Sequence, residues 1–411
     1  MTARPYLLVV APCAPPQNAA EAIQVRRIVS ALDTHATGRL VTMQPDNRSK
    51  WSEGDATLAL ALQHFDTQWL SLPLHRVTKR LLMSHRLRWF HRPDAFFWMA
   101  WMAPRVMRTL RQKPDVIYSR SYPMSGAMLA LKLANQLHVP WIMHLSDPWV
   151  DSPYGTPHAG DAAREAACFA RADAITLTTQ GQVAHYQKKY PEYAAKISLC
   201  PNVMPELSEV TRWQAEPVTK PSDDCLHIVF AGNLYGARSL APMLSAIAQI
   251  RAQRPELLSR LRVDVYGNAQ EQSQLYAEPE IVRYHGAVSF AASCAAQVAA
   301  DMVLSIEPDL PHPLGHCFMP SKVLESVALS KPLLAITPKG SETQALCEEG
   351  YGWAVPASDP AALAHCIIAR IEEVHTLRAM PAKTPPVRYQ ASHAVAQLMA
   401  SVHQLMAARA R

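Results

Sequence analysis

Between His316 and Pro338 the chain reads HCFMPSKVLESVALSKPLLAITP, and residues in that stretch could hold an anion beside a set of hydroxyls. Pro320 followed by Ser321 signals a helix start, where the serine hydroxyl can accept from a free amide of the first turn. The spacing predicts a short helix over 321–330, with Val323, Leu324, Val327 and Ala328 on one face, then a buried strand over 332–336. Lys322 and Glu325 stand on the opposite face. A lysine in the first turn opposes the helix dipole, and lysine ahead of glutamate is the poorer ion-pair order. Free amides and a lysine suit a phosphate, and a carboxylate one turn inward suits sugar hydroxyls. Taken alone, the stretch reads first as a solvated Lys–Glu pair on a surface helix. Two further sets matter. His144 and Asp147, in HLSDPWVDSP, follow a predicted strand over 141–145, where ligands of open α/β sheets sit. Arg238 is the only base in the loop GNLYGAR, which follows a predicted strand over 226–231. It reads either as an exposed loop arginine or as a phosphate ligand.

These residues need strands whose carboxyl ends carry them, and the chain supplies an alternation of both element types. Apolar runs predict strands over 5–11, 39–43, 115–119, 141–145, 173–178 and 197–200, with helices over 21–32, 124–137, 160–171 and 180–189 between them. Residues 44–74 read as irregular. The segment 203–225 is polar and proline-bearing and marks a boundary. The pattern restarts with strands over 226–231, 262–266, 281–285 and 302–307. Gly340 and Ser341 offer another amide-rich helix start, and an amphipathic helix over 388–409 closes the chain. The expected domains are 1–205, with the terminal helix 388–411 packed back on it, and 206–387. The first strand–loop–helix has no Gly-x-Gly-x-x-Gly, which argues against a dinucleotide dehydrogenase.

The stretch around Lys322 resembles the donor-binding segment of retaining glycosyltransferases of family 4, which have the GT-B fold. LESVALSKPLLAI matches the second half of that family's paired-glutamate motif, with Glu325 as the second glutamate and Cys317 in place of the first. The PSKxxExxxxGKP variant fits better, with Ser330 where glycine is usual. ARADAITLTTQG, CPNVMPE and GYGWAVPASDPAALA also match family segments, and the resemblance is strongest over 114–202 and 226–364. It implies an α/β, GT-B architecture: two Rossmann-like doubly wound domains facing across a cleft. It implies a metal-independent transferase that moves a sugar, with retention, from a nucleotide-diphosphate sugar to a glycan or lipid-linked acceptor, with no cofactor. His144, Asp147 and Glu325 would be catalytic. Gly232, Asn233, Arg238, Ser321, Lys322 and Leu324 would join Glu325 in donor binding. Asn18 and Trp149 would line the acceptor-side loops. The sequence departs from the family in three places: Asn18-Ala19-Ala20 replaces a glycine pair, Asn233 replaces an arginine, and Cys317 replaces a glutamate. These departures support a competing expectation, a GT-B binding or scaffold protein with a degraded site.

Composition fits a soluble globular protein: 49% hydrophobic, 18% charged, net charge +6, with no run of eighteen apolar residues. Eight scattered cysteines, without metal-ligand spacing, read as reduced thiols of a cytoplasmic protein. Residues 75–113 are rich in arginine, lysine, phenylalanine and tryptophan. They predict two helices split near Pro93, the second capped by Asp94, with aromatics on the sheet and bases outward. That basic face is a candidate contact with the inner face of the plasma membrane, or with a lipid phosphate. The same ingredients would suit nucleic acid, which is not an expected partner here.

Overall fold

A computed structural model describes residues 4–45, 54–72, 81, 91–217, 222–271 and 273–410. The chain divides into two units, 1–203 with 391–411, and 204–390.

In the first unit the strands are β1 (Tyr6–Val10), β2 (Thr37–Met43), β3 (Phe65–Leu70), β4 (Val116–Ser121), β5 (Trp141–Leu145), β6 (Ala174–Leu177) and β7 (Ile197–Leu199). They form one parallel sheet in the order β3-β2-β1-β4-β5-β6-β7. β1, β4 and β5 have helices on both faces, and every residue of all three is buried; β1 reads as an unbroken apolar run, while β4 and β5 also bury Ser119, Arg120, Ser121 and His144. β3 was not foreseen within 44–74. Its sequence FDTQWL is an edge strand paired only with β2, and only its two end residues are buried. Its polar middle carries no apolar signal.

The final helix, Ala391–Ala410, packs against helix Ala20–Leu32 and puts Ala394, Val395, Leu398 and Val402 into this unit's core. Of the basic-aromatic segment, 75–90 lies outside the described residues, apart from Leu81. The rest forms a 3-10 turn, Phe97–Met102, and a helix, Ala103–Thr109. The Asp94 carboxylate accepts from the Phe96 amide at 2.9 Å and from the Ser125 amide at 2.9 Å; it is not the expected cap, since Phe96 holds the capping position without a side-chain bond, but it ties the start of this turn to the next helix. Phe97 and Trp98 are buried, and Trp101 is 54% exposed.

The second unit holds β8 (Leu226–Ala231), β9 (Leu261–Tyr266), β10 (Val282–Gly286), β11 (Met302–Ile306), β12 (Leu333–Ile336) and β13 (Gly352–Val355). The parallel order is β10-β9-β8-β11-β12-β13, again doubly wound. The expected linker is not all linker. Leu207–Gln214 is a helix closed by a reciprocal Glu206/Glu209 capping box, and Trp213 meets Phe290 edge-on at 5.7 Å. Among the described residues no helix is long and apolar enough to cross a membrane.

Candidate functional site

In a doubly wound sheet the chain leaves adjacent strands in opposite directions at one point, and a crevice opens beyond their carboxyl ends. In the second unit that point lies between β8 and β11. β8 runs into Gly232 and β11 into Glu307. Helix Ser321–Ala328, which packs against β11 and β12, brings Lys322 to the same place. The Lys322 ammonium lies 4.0 Å from the centre of the Phe230 ring. A side chain on Gly232 would come within 2.6 Å of that nitrogen, so the glycine is what lets the lysine approach the backbone. Gly267 has a similar duty beside it. Its φ is +122°, and a side chain there would lie 2.2 Å from the Gly232 carbonyl oxygen.

The expectation of a solvated Lys322–Glu325 pair is overturned. Lys322 is 9% exposed and Glu325 4%. The Lys322 nitrogen has no hydrogen-bond partner, and neither has the buried Nε of Arg238. Burial, then the nearby Arg238 charge, pull the Lys322 pKa well below its ordinary value, against the opposing pull of Glu307 and Glu325. Glu307 is 5% exposed, with one unpartnered carboxylate oxygen. Burial raises its carboxyl to about 7, although Thr343, Arg238, Thr337 and Lys322 all favour the charged form. Arg238 lies over the Tyr235 ring at 5.2 Å and donates to its hydroxyl at 3.4 Å. The arrangement is a buried lysine beside a half-buried arginine, each with an unpartnered nitrogen, and two carboxylates act on the lysine. Such a pair gains most from an anion that brings several acceptor oxygens.

The structure thus brings Gly232, Arg238, Lys322 and Glu325 together. Asn233 is exposed at the rim, where its carboxamide oxygen accepts from the Asn268 amide at 3.0 Å. Ser321 does not cap its helix: Pro320 occupies the capping position, and no side chain bonds the first turn. The helix also stops at Ala328 rather than Ser330. Leu324 is fully buried among Val323, Val327 and Leu333, so its side chain serves the core. Glu307 escaped the sequence reading, which took it as the last residue of the strand over 302–307; the strand ends at Ile306, and only burial distinguishes the glutamate.

In the first unit His144 is not on an open rim. It is wholly buried, with Nδ1 3.0 Å from the Thr176 hydroxyl and Nε2 unpartnered. Burial, reinforced by the Arg120 charge, keeps its pKa well below the ordinary value, so the ring is neutral at pH 7. Arg120 is itself buried. Its Nε donates to Glu21 at 2.8 Å, and the Ser146 hydroxyl donates to the other Glu21 oxygen at 2.5 Å. This Glu21–Arg120–Ser146 cluster lies at the carboxyl ends of β4 and β5 and was not foreseen. Asp147 is half-buried. Trp149 is turned into the core, its amide donating to the Tyr186 hydroxyl at 3.0 Å. Asn18 is exposed and donates to Asp55 at 3.3 Å.

Residues 19–202 match the family described as Glycosyl transferase 4-like domain, and residues 225–373 match the family Glycosyl transferases group 1. A curated relative, Probable glycosyltransferase WbjE of Pseudomonas aeruginosa, is 29% identical over 139 residues, 34% of each chain. The match thus spans about a third of that relative's length. Among solved structures, an alpha,alpha-trehalose-phosphate synthase (UDP-forming) from Burkholderia vietnamiensis superposes with a TM-score of 0.67 at 13% identity, covering 99% of both chains. Anabaena HepE in complex with UDP-glucose superposes with a TM-score of 0.56 at 15% identity, again over 99% of both chains. At these identities the likeness is one of fold.

Proposed function

We propose, for a chain that belongs to the glycosyltransferases of GT-B type, that the crevice around Lys322 takes the diphosphate of a nucleotide sugar whose sugar is transferred with retention. The observation that carries this reading is the buried, unpartnered Lys322 ammonium beside Arg238, at the switch point of the second sheet. A desolvated cation without a partner is costly to the folded protein, and a bound phosphate oxygen relieves that cost. In this proposal the two cations stabilise the charge that grows on the leaving diphosphate, so no metal ion is required. Glu325 accepts hydrogen bonds from sugar hydroxyls. The leaving phosphate takes the acceptor's proton, so no pair of glycosidase-like carboxylates is required. His144 and Asp147 serve the acceptor, His144 as a neutral imidazole.

The acceptor we favour is a glycan or lipid-linked glycan of cell-surface polysaccharide synthesis. Exposed Trp101, Arg105 and Arg108 follow one another at helical spacing, and Arg111 and Lys113 lie just beyond; this suits a protein that meets anionic lipid headgroups. A thermal-shift screen of nucleoside mono- and diphosphates and their sugars tests the donor assignment. A ligand at a hundred times its dissociation constant stabilises by about 2.7 kcal/mol. Slow hydrolysis of the bound nucleotide sugar without acceptor, insensitive to a chelator, is the expected companion result. Binding without any turnover would leave a scaffold.

A further inference from the structure

One of the two carboxylates acting on Lys322 has no place in the donor reading above, yet it is buried. Glu307 follows β11 directly, and its amide donates to the Ile336 carbonyl at 2.8 Å, which fixes the backbone there. The groups that act on its side chain come from every neighbouring element. Arg238 comes from the loop after β8, and Lys322 from helix Ser321–Ala328. Thr337 follows β12, Thr343 lies in helix Glu342–Leu346, and the Cys347 thiol feels the same carboxylate. Thr337 and Ser341 are bonded to each other at 2.7 Å, so the hydroxyl lining is itself tethered. One carboxylate oxygen of Glu307 remains without a partner.

We infer that Glu307 is the built-in counter-ion of the diphosphate subsite, and that the donor displaces it electrostatically, binding with uptake of one proton onto the Glu307 carboxylate. This rests on the donor reading above. The physical reason is charge. Without ligand, Glu307 is one of the two anions balancing Lys322 and Arg238. A diphosphate brings a second set of anionic oxygens to the same two cations. Two anions cannot both stay ionised in a desolvated crevice with that cation count, and the buried one with an orphan oxygen is the one that can take a proton. Protonated, Glu307 becomes a donor toward the phosphate instead of a repelling charge. Burial already raises its carboxyl to about 7, which places the change in the working range of an enzyme.

The sign follows. Binding raises the affinity of Glu307 for its proton, so donor affinity falls as pH rises above about 7. Between pH 6 and pH 8 the dissociation constant should rise about tenfold, because one proton is lost by a group titrating near 7. UDP-glucose is the probe, since its diphosphate is esterified at both ends and does not titrate in that range. Isothermal titration of the full chain in two buffers of different ionisation enthalpy should count close to one proton taken up at pH 8, with no variant required. Glu307→Gln keeps the shape and should bind UDP-glucose with a nearly flat pH profile, at the wild type's low-pH affinity. If wild type binds with a flat profile and no proton uptake, the inference is wrong and the donor site stands. If E307Q keeps the full slope, the proton sits elsewhere, on Lys322, and the inference is equally wrong. If neither UDP-glucose nor any other nucleotide sugar of the thermal-shift screen binds either protein at any pH, the donor reading fails and takes this inference with it.

Discussion

Replacing Lys322 by methionine should make the protein more stable and its donor affinity poorer, and these opposite signs are the test. Lys322 is 9% exposed, and its ammonium is buried, has no hydrogen-bond partner and lies 4.0 Å over the Phe230 ring. Methionine has a similar volume and a polarisable sulfur that suits the same ring. It removes a desolvated charge that Arg238 repels. Replacing a whole buried ion pair by apolar volume is often stabilising by about 1–4 kcal/mol; here only the cation goes, and the Glu307 carboxylate, already raised to about 7, can take a proton instead of standing as an uncompensated charge. A gain of about 1–3 kcal/mol in the second unit corresponds to a rise of roughly 2–12 °C in its melting temperature. Against this, the variant loses a charge-assisted bond to phosphate of about 1.5–3 kcal/mol, so donor affinity falls about 10- to 150-fold. Scanning calorimetry and titration of UDP-glucose on one preparation read both quantities. A variant that melts lower than wild type and binds donor equally well would show that Lys322 is a structural residue, and the anion subsite would be refuted.

His144→Ala should bind nucleotide almost as wild type does yet transfer sugar poorly; a lowered melting temperature with unchanged turnover would instead assign the buried ring to packing. Asp264 is 2% exposed at its side chain and is gripped by His227 at 2.7 Å, His285 at 3.0 Å and Arg262 at 3.0 Å. Burial pushes its carboxyl up, but these bonds outweigh burial and hold it well below the usual range. Its contribution is therefore fully present above about pH 4 and is lost as pH falls through the folded value. Asp264→Asn should cost about 3–5 kcal/mol at pH 7, with the difference shrinking in acid unfolding experiments. Trp101→Ala with Arg105 and Arg108 both changed to Glu should abolish sedimentation with phosphatidylglycerol vesicles and leave soluble donor hydrolysis unchanged; undiminished sedimentation would remove the membrane surface from the proposal.

Most of the strands were legible because burial on both faces forces apolar runs such as LLVV and LHIVF, and β5 and β8 match their expected bounds. What could not be read was set by tertiary context. β3 hides because an edge strand needs no apolar alternation. The helix at 207–214 hides inside a polar boundary, since its caps are glutamates and its buried face is little more than Val210 and Trp213. Lys322 and Glu325 looked solvated because helical spacing shows which residues share a face, not whether another element covers that face. Ser330 is the converse case: the family position where glycine is usual is a left-handed turn here, with φ +54°, so the resemblance carried conformational information that local sequence did not. Glu307 and the Glu21–Arg120 pair were invisible for one shared reason. Each is an ion whose partners are distant in sequence, and only the switch-point topology collects them.

The donor proposal requires that the second unit's crevice hold a diphosphate rather than a single phosphate. Calorimetric titration of the full chain with UDP and with UMP at pH 6.5 tests it most directly. Lys322 and Arg238 together predict that the diphosphate binds at least about tenfold tighter, one charge-assisted contact of about 1.5 kcal/mol being enough for that difference. Equal affinity for the two nucleotides would mean that the cationic pair meets no second phosphate, and would contradict the account.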